Sequence, residues 1–390
     1  METMQPTLKS GRNTWDRINM PVEEFRSRVK KIRQGMKERG IDVLLLYGNA
    51  FNEYGNYCYV CNYVIRLPQG ALVAVPKNGE PSVIFEGASR GVPSIKKATW
   101  IDDIRAAGDV SKECVKYLQE KNLVSSVIGF AGLKGQMPYG QLQFLLDSLP
   151  KCKIVDAEPL VNDLRMVKSP MEILQIRRAS RIVLHAFDFI TSTSFEELRE
   201  EVVEAGARRE ARLEGAEDFR MMIAKPLREK WAFRPPEESP LRSGDRILIY
   251  LALEFERYWA EAVRTFTLEG SSFVEMQPEG IKTLYEAIMG GMIPGKKVSR
   301  FYKESLIKIK KANEDAILDY GLGQGIGLSP KEFPVIEQKD RSALTPGMCF
   351  SLRLGVRKRE IGPFMFGNTI YLSRKGPEIL TGTCPASPAL

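Results

Sequence analysis

The first part of the chain alternates between apolar patterns typical of helices and of strands. Apolar residues recur every three or four positions from Phe25 to Met36, and Gly40 follows, which predicts an amphipathic helix that ends at a glycine. The apolar run at 41–48 predicts a buried strand. Further strands are predicted at 69–87 (two, joined by the turn Lys77-Asn78-Gly79), 125–132 and 152–158, and further helices at 110–123 and 139–149. This order predicts an α/β domain over residues 21–160, preceded by a polar arm at residues 1–20.

The second part mixes longer helices with longer strands. Ser169, Pro170 and Glu172 form a helix start, with a capping residue, a proline in the first turn and an early acid. Helices are predicted at 195–215, 277–292 and 299–315, and strands at 246–270, 348–357 and 367–373. We assign residues 161–390 to a second, α+β domain.

Composition is that of an ordinary globular protein. The 390 residues are 43% hydrophobic and 27% charged. No apolar run approaches the roughly 20 residues of a membrane helix, and the first residues lack the apolar core of a signal peptide, so we expect a cytoplasmic protein with no membrane partner. The net charge is +8, but basic and acidic residues are interleaved. This favours a solvated, mildly basic surface over a nucleic-acid-binding face.

Cysteine and histidine offer little metal chemistry. Cys58 and Cys61 form a C-x-x-C in an aromatic and β-branched run, and no second pair or nearby histidine completes a zinc site. We expect reduced cysteines in or beside a strand, with a redox pair as the alternative. His185 is the single histidine and lies in an apolar helical pattern, where we expect a packed or capping role.

Residues 321–334, GLGQGIGLSPKEFP, form the most distinctive segment. The alternating glycines Gly323, Gly325 and Gly327 indicate that another backbone or a ligand comes close. The segment resembles the signature GHGIGL…HE.P of the creatinase/aminopeptidase P/prolidase family, the pita-bread hydrolases. The first histidine of that signature is Gln324 here, and the second is Lys331. The residues that shape the motif are kept, whereas those that carry its chemistry are replaced.

The resemblance extends over nearly the whole chain. Residues 164–179 are similar to the family junction LR.vKs..Ei..ir.A, which opens the second domain. Other matches are Gly244-Asp245, Arg264-Thr265-Phe266, Glu332, Pro334, Leu344, Gly347-Met348, Asn368-Thr369, Gly376 and Leu380-Thr381. The resemblance implies an α/β creatinase-like N-terminal domain, an α+β pita-bread C-terminal domain and a homodimer.

The resemblance also implies where a metal centre would lie. Metal-dependent members hold two divalent ions with two Asp, one His and two Glu. The matching positions here, in chain order, are Tyr250, Glu261, Gln324, Arg353 and Gly367. Only Glu261 supplies a carboxylate, and the guanidinium of Arg353 would repel a cation, so we expect no metal and no other cofactor. We expect Arg353 to pair with Glu261 where relatives hold cations.

Several polar residues could replace the metal chemistry. The catalytic candidates are Glu261 as general base, Tyr250 as donor, Lys331 as acid or base, and Glu332 as a second carboxylate beside the glycine segment. The structural alternative is an ion pair between Glu261 and Arg353, Tyr250 in the core, and Lys331 and Glu332 in solvent.

The predicted ligand is a small anion, because Arg353, Lys331, Lys225, Arg228, Lys230 and Arg234 border this site in the family. Substrate-binding candidates are Arg353, Gln324, Arg66, Trp231 and Arg234, and Arg66 best matches the arginine that family dimers lend from the partner. We predict a metal-independent, creatinase-like hydrolase of a C–N bond in a small carboxylate-bearing compound. The alternative is an inactive ligand- or protein-binding module, as in the large subunit of the FACT histone chaperone.

Overall fold

The computed structural model describes residues 14–51, 54–193, 198–225, 232–276, 278–312, 315–316, 320–358 and 362–382. The chain forms two compact units that divide between Arg165 and Met166. The sequence places this division between residues 160 and 161. Most of the predicted N-terminal arm, residues 1–13, lies outside the described residues.

The N-terminal unit is an α/β domain around a six-stranded sheet. The strands are β1 (Val43–Asn49), β2 (Gly70–Pro76), β3 (Ser82–Glu86), β4 (Asp103–Ala107), β5 (Val127–Ala131) and β6 (Lys153–Asp156). The helices are α1 (Val22–Glu38), α2 (Gly55–Cys61), α3 (Val92–Lys96), α4 (Val110–Glu120), α5 (Leu133–Gln136), α6 (Tyr139–Ser148) and α7 (Glu158–Met166). The strand order is β4-β3-β2-β1-β5-β6, in which β2 is antiparallel to both neighbours.

The cysteine pair and the single histidine each depart in part from the expectation. Cys58 and Cys61 lie in the helix α2 and not in a strand, although both are buried and unbridged as predicted. All seven residues of α2 are buried, so its apolar run reflects burial on every side and carries no strand period. His185 is not packed in the core, because its side chain is 43% exposed and its Nδ1 lies 2.5 Å from Glu214 Oε1.

The C-terminal unit is built on a ten-stranded sheet. The strands are β7 (Asp218–Ala224), β8 (Arg246–Phe255), β9 (Tyr258–Glu269), β10 (Ser272–Glu275), β11 (Asp315–Ala316), β12 (Gly323–Gly325), β13 (Glu332–Val335), β14 (Cys349–Lys358), β15 (Gly362–Ser373) and β16 (Gly376–Ile379). The helices are α8 (Pro170–Ser192), α9 (Glu200–Leu213), α10 (Glu279–Met289) and α11 (Val298–Lys311). The main strand order is β13-β12-β14-β15-β9-β8-β7.

Strand register sorts the residues of this sheet onto two faces. Ile249 and Ile247 of β8 pack in one apolar core with α8 and α9, and Leu352 and Leu354 of β14 pack in another with α10 and α11. Residues one position away point to the opposite face. Four residues of interest lie on that opposite face: Tyr250, Glu261, Arg353 and Gly367. The register shows this. Ala252 pairs with Glu261, Val263 lies between Tyr250 and Gly367 as the partner of both, and Gly367 also pairs with Arg353.

The glycine segment allows three strands to approach closely. A Cβ on Gly323 would overlap the carbonyl oxygen of Ser351 in β14, and one on Gly325 would overlap that of Phe333 in β13. A Cβ on Gly327 would lie 2.8 Å from Glu332 Oε2. The expectation of a close approach is therefore confirmed, and neighbouring backbone accounts for it at Gly323 and Gly325.

Gly325→Ala should lower the free energy of unfolding by about 1–3 kcal/mol, because the methyl group cannot be accommodated without moving β12 from β13. Urea unfolding followed by tryptophan fluorescence measures the change. Gly108→Ala is the matched control, since a Cβ there meets no atom within 4 Å. Equal losses in the two variants would contradict the steric explanation.

Candidate active site

Four of the predicted site residues converge on the face of the sheet opposite the helices. Tyr250 lies in β8, Glu261 in β9, Gln324 in β12 and Arg353 in β14. These strands lie within one sheet path, with β15 between β9 and β14. Glu261 is 2% exposed and Gln324 is 9% exposed, so the polar cluster they form is largely shielded from water.

The carboxylate of Glu261 is the centre of this cluster. Its Oε2 accepts a hydrogen bond of 2.8 Å from the Tyr250 hydroxyl, and its Oε1 accepts one from Ser351 Oγ. The Arg353 Nη1 atom lies 3.5 Å from Oε1, which is the ion pair expected from the sequence. Burial, together with the charge of Glu261 and the hydrogen bond to it, raises the pKa of Tyr250 well above its usual value. Tyr250 is therefore a neutral hydroxyl donor at physiological pH.

The backbone of Glu261 is fixed by a side chain of β15. Thr369 Oγ1 accepts a hydrogen bond of 2.9 Å from the Glu261 N–H and donates one of 2.9 Å to the Glu261 carbonyl. Thr369 is fully buried. A carboxylate held at both its backbone and its side chain has little rotational freedom, which suits a group that must meet a reacting atom in one orientation.

Arg353 occupies space that a side chain at position 367 would need. Arg353 lies directly opposite Gly367 on the neighbouring strand, and a Cβ at Gly367 would lie 2.8 Å from Arg353 Cγ. The Nη2 of Arg353 donates to Gln324 Oε1, and Gln324 Nε2 donates to the Pro330 carbonyl at 3.2 Å. The Nε–H of Arg353 is buried and has no hydrogen-bond partner among the described residues.

These residues do not fit a pair of divalent metal ions. Among the five positions that match the metal ligands of the family, only Glu261 carries a negative charge. The guanidinium of Arg353 lies 3.5 Å from its carboxylate. Within the described ranges, no group of three or more His, Cys, Asp or Glu side chains is placed to hold a metal. Two dications need several anionic oxygens, so this donor set disagrees with a metal centre. The absence of a metal itself stays a prediction.

Glu332, Lys331 and Arg234 make other contacts. Glu332 is buried and its Oε2 accepts from Lys168 Nζ at 2.9 Å, so the alternative in which it is solvated is wrong. Lys331 is exposed. Arg234 makes two hydrogen bonds of 2.6 and 3.0 Å to Glu200. Their catalytic or binding roles stay predictions.

The remaining candidates are placed as follows. Arg66 belongs to the N-terminal unit, in the segment between α2 and β2, and its proposed contribution stays a prediction. Lys225 donates to the Pro240 carbonyl at 2.7 Å. Trp231, Arg228 and Lys230 lie outside the described residues.

Three residues of the site were not predicted from the sequence. They are Ser351, Tyr320 and Thr369, the last of which was matched to the family but not expected to contact Glu261. Ser351 could have been found, because it lies two residues before Arg353 on one strand and therefore on the same face. Tyr320 precedes β12 and meets Phe233, whose backbone N–H donates to the Tyr320 hydroxyl at 2.9 Å. No periodic pattern links two loop residues so far apart in sequence.

Comparison with known families decides the classification. Residues 28–167 match the Creatinase/Prolidase N-terminal domain, and residues 174–374, just over half of the chain, match Metallopeptidase family M24. The chain belongs to the M24 family. The predicted family is thereby confirmed, and so is the place of this chain in a family of hydrolases.

Individual M24 relatives align with this chain over most of their length. An Xaa-Pro dipeptidase of Pyrococcus horikoshii is 24% identical, over 93% of this chain and 99% of that protein. An ectoine hydrolase of Halomonas elongata is 25% identical, over 93% of this chain and 97% of that protein.

Solved structures give the same fold. The prolidase from Pyrococcus horikoshii has a TM-score of 0.72 at 21% identity, covering 92% of this chain and 99% of that one. The N-terminal domain of the FACT complex subunit SPT16 from chickpea has a TM-score of 0.69 at 14% identity, covering 93% of this chain and 97% of that one. The α/β domain followed by a pita-bread domain is therefore confirmed.

The helices that the structure describes were compared with the requirements of a membrane span. Among the residues that the structure describes, no helix combines the length and the apolar character needed to cross a bilayer.

Proposed function

We propose that this M24 protein hydrolyses a C–N bond in a small carboxylate-bearing compound without a bound metal. The observation that carries the proposal is Arg353, which places a guanidinium 3.5 Å from Glu261 and has 14% of its side chain exposed. A substrate carboxylate would bind that exposed part of the guanidinium through charge-assisted hydrogen bonds.

Glu261 is the proposed general base. It takes a proton from a water molecule, the water oxygen forms a bond to the electrophilic carbon, and the C–N bond breaks as the proton passes to the leaving nitrogen. Tyr250 stays protonated because of its raised pKa and so donates a hydrogen bond to Glu261 throughout. Thr369 keeps the carboxylate in one orientation through the backbone of Glu261.

The similarity to the ectoine hydrolase also supports this proposal. Its name gives ectoine as the compound that it hydrolyses. A relative that spans the same two domains therefore acts on something other than an Xaa-Pro substrate. Ectoine is a small molecule that carries a carboxylate, and we include it among the substrates to be tested on this chain.

A binding module without turnover is the second candidate, and the contacts of Glu261 favour it. Tyr250, Ser351 and Arg353 already lie on its two carboxylate oxygens. A carboxylate whose two oxygens already hold these partners has fewer open acceptor positions for an attacking water molecule. An old active site that has become an ion-pair network would have this geometry.

A ligand screen followed by a turnover assay separates the two candidates. We expect small carboxylates, guanidino compounds or ectoine to raise the unfolding temperature of the wild type, and Arg353→Lys to weaken that effect because lysine lacks the planar pair of donors. Each stabilising compound is then incubated with the protein, with and without EDTA. Turnover that survives EDTA supports the hydrolase, and stabilisation without turnover supports the module. Peptide cleavage that EDTA removes and Mn²⁺ restores would overturn the metal-independent proposal.

A further inference from the structure

Three aromatic rings lie beside the charged cluster. The ring centroids of Phe233 and Tyr250 are 6.2 Å apart, and those of Phe233 and Tyr320 are 5.2 Å apart. Their planes are inclined at 57° and 69°, so the rings are not stacked and present differently oriented faces. All three side chains are partly exposed, and they pack on a buried apolar floor that includes Val263 and Met365.

Tyr250 contacts both the aromatic rings and the charged pair of Glu261 and Arg353. Its ring belongs to the aromatic group, and its hydroxyl donates to Glu261. Arg353 lies on the other side of that carboxylate, towards Gln324. The order across the site is therefore aromatic rings, then the negative carboxylate, then the guanidinium.

We infer that the site takes a dipolar substrate, with a carboxylate on Arg353 and a cationic or amidinium nitrogen group against Phe233, Tyr250 and Tyr320. This inference rests on the proposed function for the carboxylate end. Aromatic faces attract cations through the negative potential of the ring, and each of these three side chains is partly exposed. Glu261 adds a negative charge beside the rings.

The spacing of charges explains why one compound should carry both groups. A cation alone would meet repulsion from Arg353, and an anion alone would meet Glu261. A ligand that carries both charges can place each beside its opposite. Its positive group, bonded near the reacting carbon, would also bring that carbon close to the carboxylate of Glu261.

The test uses pairs of carboxylates that differ only in a charge. Glycine betaine is compared with 3,3-dimethylbutanoate, and 4-(trimethylammonio)butanoate with 5,5-dimethylhexanoate, by isothermal titration calorimetry on the full chain. Within each pair, a quaternary nitrogen replaces a quaternary carbon of nearly the same shape. We expect the dipolar member of at least one pair to bind about tenfold more tightly.

Variants of the aromatic residues test whether their rings cause the tighter binding of the dipolar compounds. Phe233→Leu and Tyr320→Leu should reduce it to about two-fold or less, whereas Tyr320→Phe keeps the ring and should retain it. Tyr139→Leu is the matched control, because Tyr139 is 79% exposed in the N-terminal unit. Thermal unfolding verifies that each variant is folded.

The negative outcomes have different meanings. If the neutral isosteres bind as tightly as the dipolar compounds, the inference about the rings is overturned and the carboxylate site is retained. If none of these compounds binds and no other carboxylate stabilises the wild type, the proposed function and this inference both fail. A preference that survives both leucine variants would overturn the assignment to Phe233 and Tyr320.

Discussion

Glu261→Gln should lower kcat of the proposed hydrolase by about 10²–10⁴-fold. Glutamine has almost the same volume, and its single amide oxygen can still accept from one of the two hydroxyls, Tyr250 or Ser351, that now donate to separate carboxylate oxygens. It cannot take a proton from water at neutral pH. Steady-state kinetics on a substrate found by the screen, with and without EDTA, measures the effect.

Glu332→Gln is the informative comparison for this variant. Glu332 is also a buried carboxylate beside the glycine segment, but it is paired with Lys168 at 2.9 Å. Breaking a buried ion pair leaves an uncompensated charge and costs about 3–5 kcal/mol. We expect this variant to unfold more easily while its folded fraction retains kcat. Full turnover in Glu261→Gln would show that Glu261 is not the base, and lost turnover in a stably folded Glu332→Gln would show that Glu332 is required as well.

The sequence was sufficient to bring Tyr250 and Glu261 together. The two residues lie in adjacent strands joined by a tight turn at Glu256 and Arg257. Antiparallel pairing about that turn puts Ala252 opposite Glu261, and Tyr250 two residues along on the same face. The strand β14 likewise brings Ser351 and Arg353 to one face. Because side chains alternate between the two faces of a strand, such neighbours can be predicted without knowledge of the rest of the fold.

Other parts of the site depend on packing that no local pattern contains. Gly367 has no side chain to read, yet its missing Cβ leaves room for Arg353. The burial of Glu332 depends on Lys168, which is 164 residues away in sequence. The contact between Phe233 and Tyr320 joins two loops. These features arise from long-range contacts, which local propensity and period do not encode.

Arg353 and Gly367 are best understood as one coupled change. A glutamate at position 367 would have to displace the arginine, because its Cβ would lie 2.8 Å from Arg353 Cγ. Conversely, a glutamate at position 353 would leave the space beside Gly367 unfilled and the Gln324 amide oxygen without the donor that it now has. The M24 ligand set therefore cannot be restored one residue at a time.

Restoring all five positions together should create a metal site. The variant with Tyr250→Asp, Glu261→Asp, Gln324→His, Arg353→Glu and Gly367→Glu carries the ligands of metal-dependent relatives on the same strands. We expect Mn²⁺ or Co²⁺ to bind with a dissociation constant of about 10 μM or lower, because four carboxylates and an imidazole can neutralise two dications. Equilibrium dialysis with elemental analysis measures binding, and the wild type should show no stoichiometric uptake.

The four-residue variant that keeps Arg353 isolates the role of the guanidinium. It should take up no stoichiometric metal and should unfold more easily than the five-residue variant, because the side chain introduced by Gly367→Glu meets the arginine and the positive charge stays in place. A folded five-residue variant that binds no metal would show that the surroundings of the site have changed along with its ligands. Stoichiometric manganese, cobalt or zinc in the purified wild type would contradict the assignment more directly, since it would mean that Glu261 and its neutral and cationic neighbours hold a dication after all.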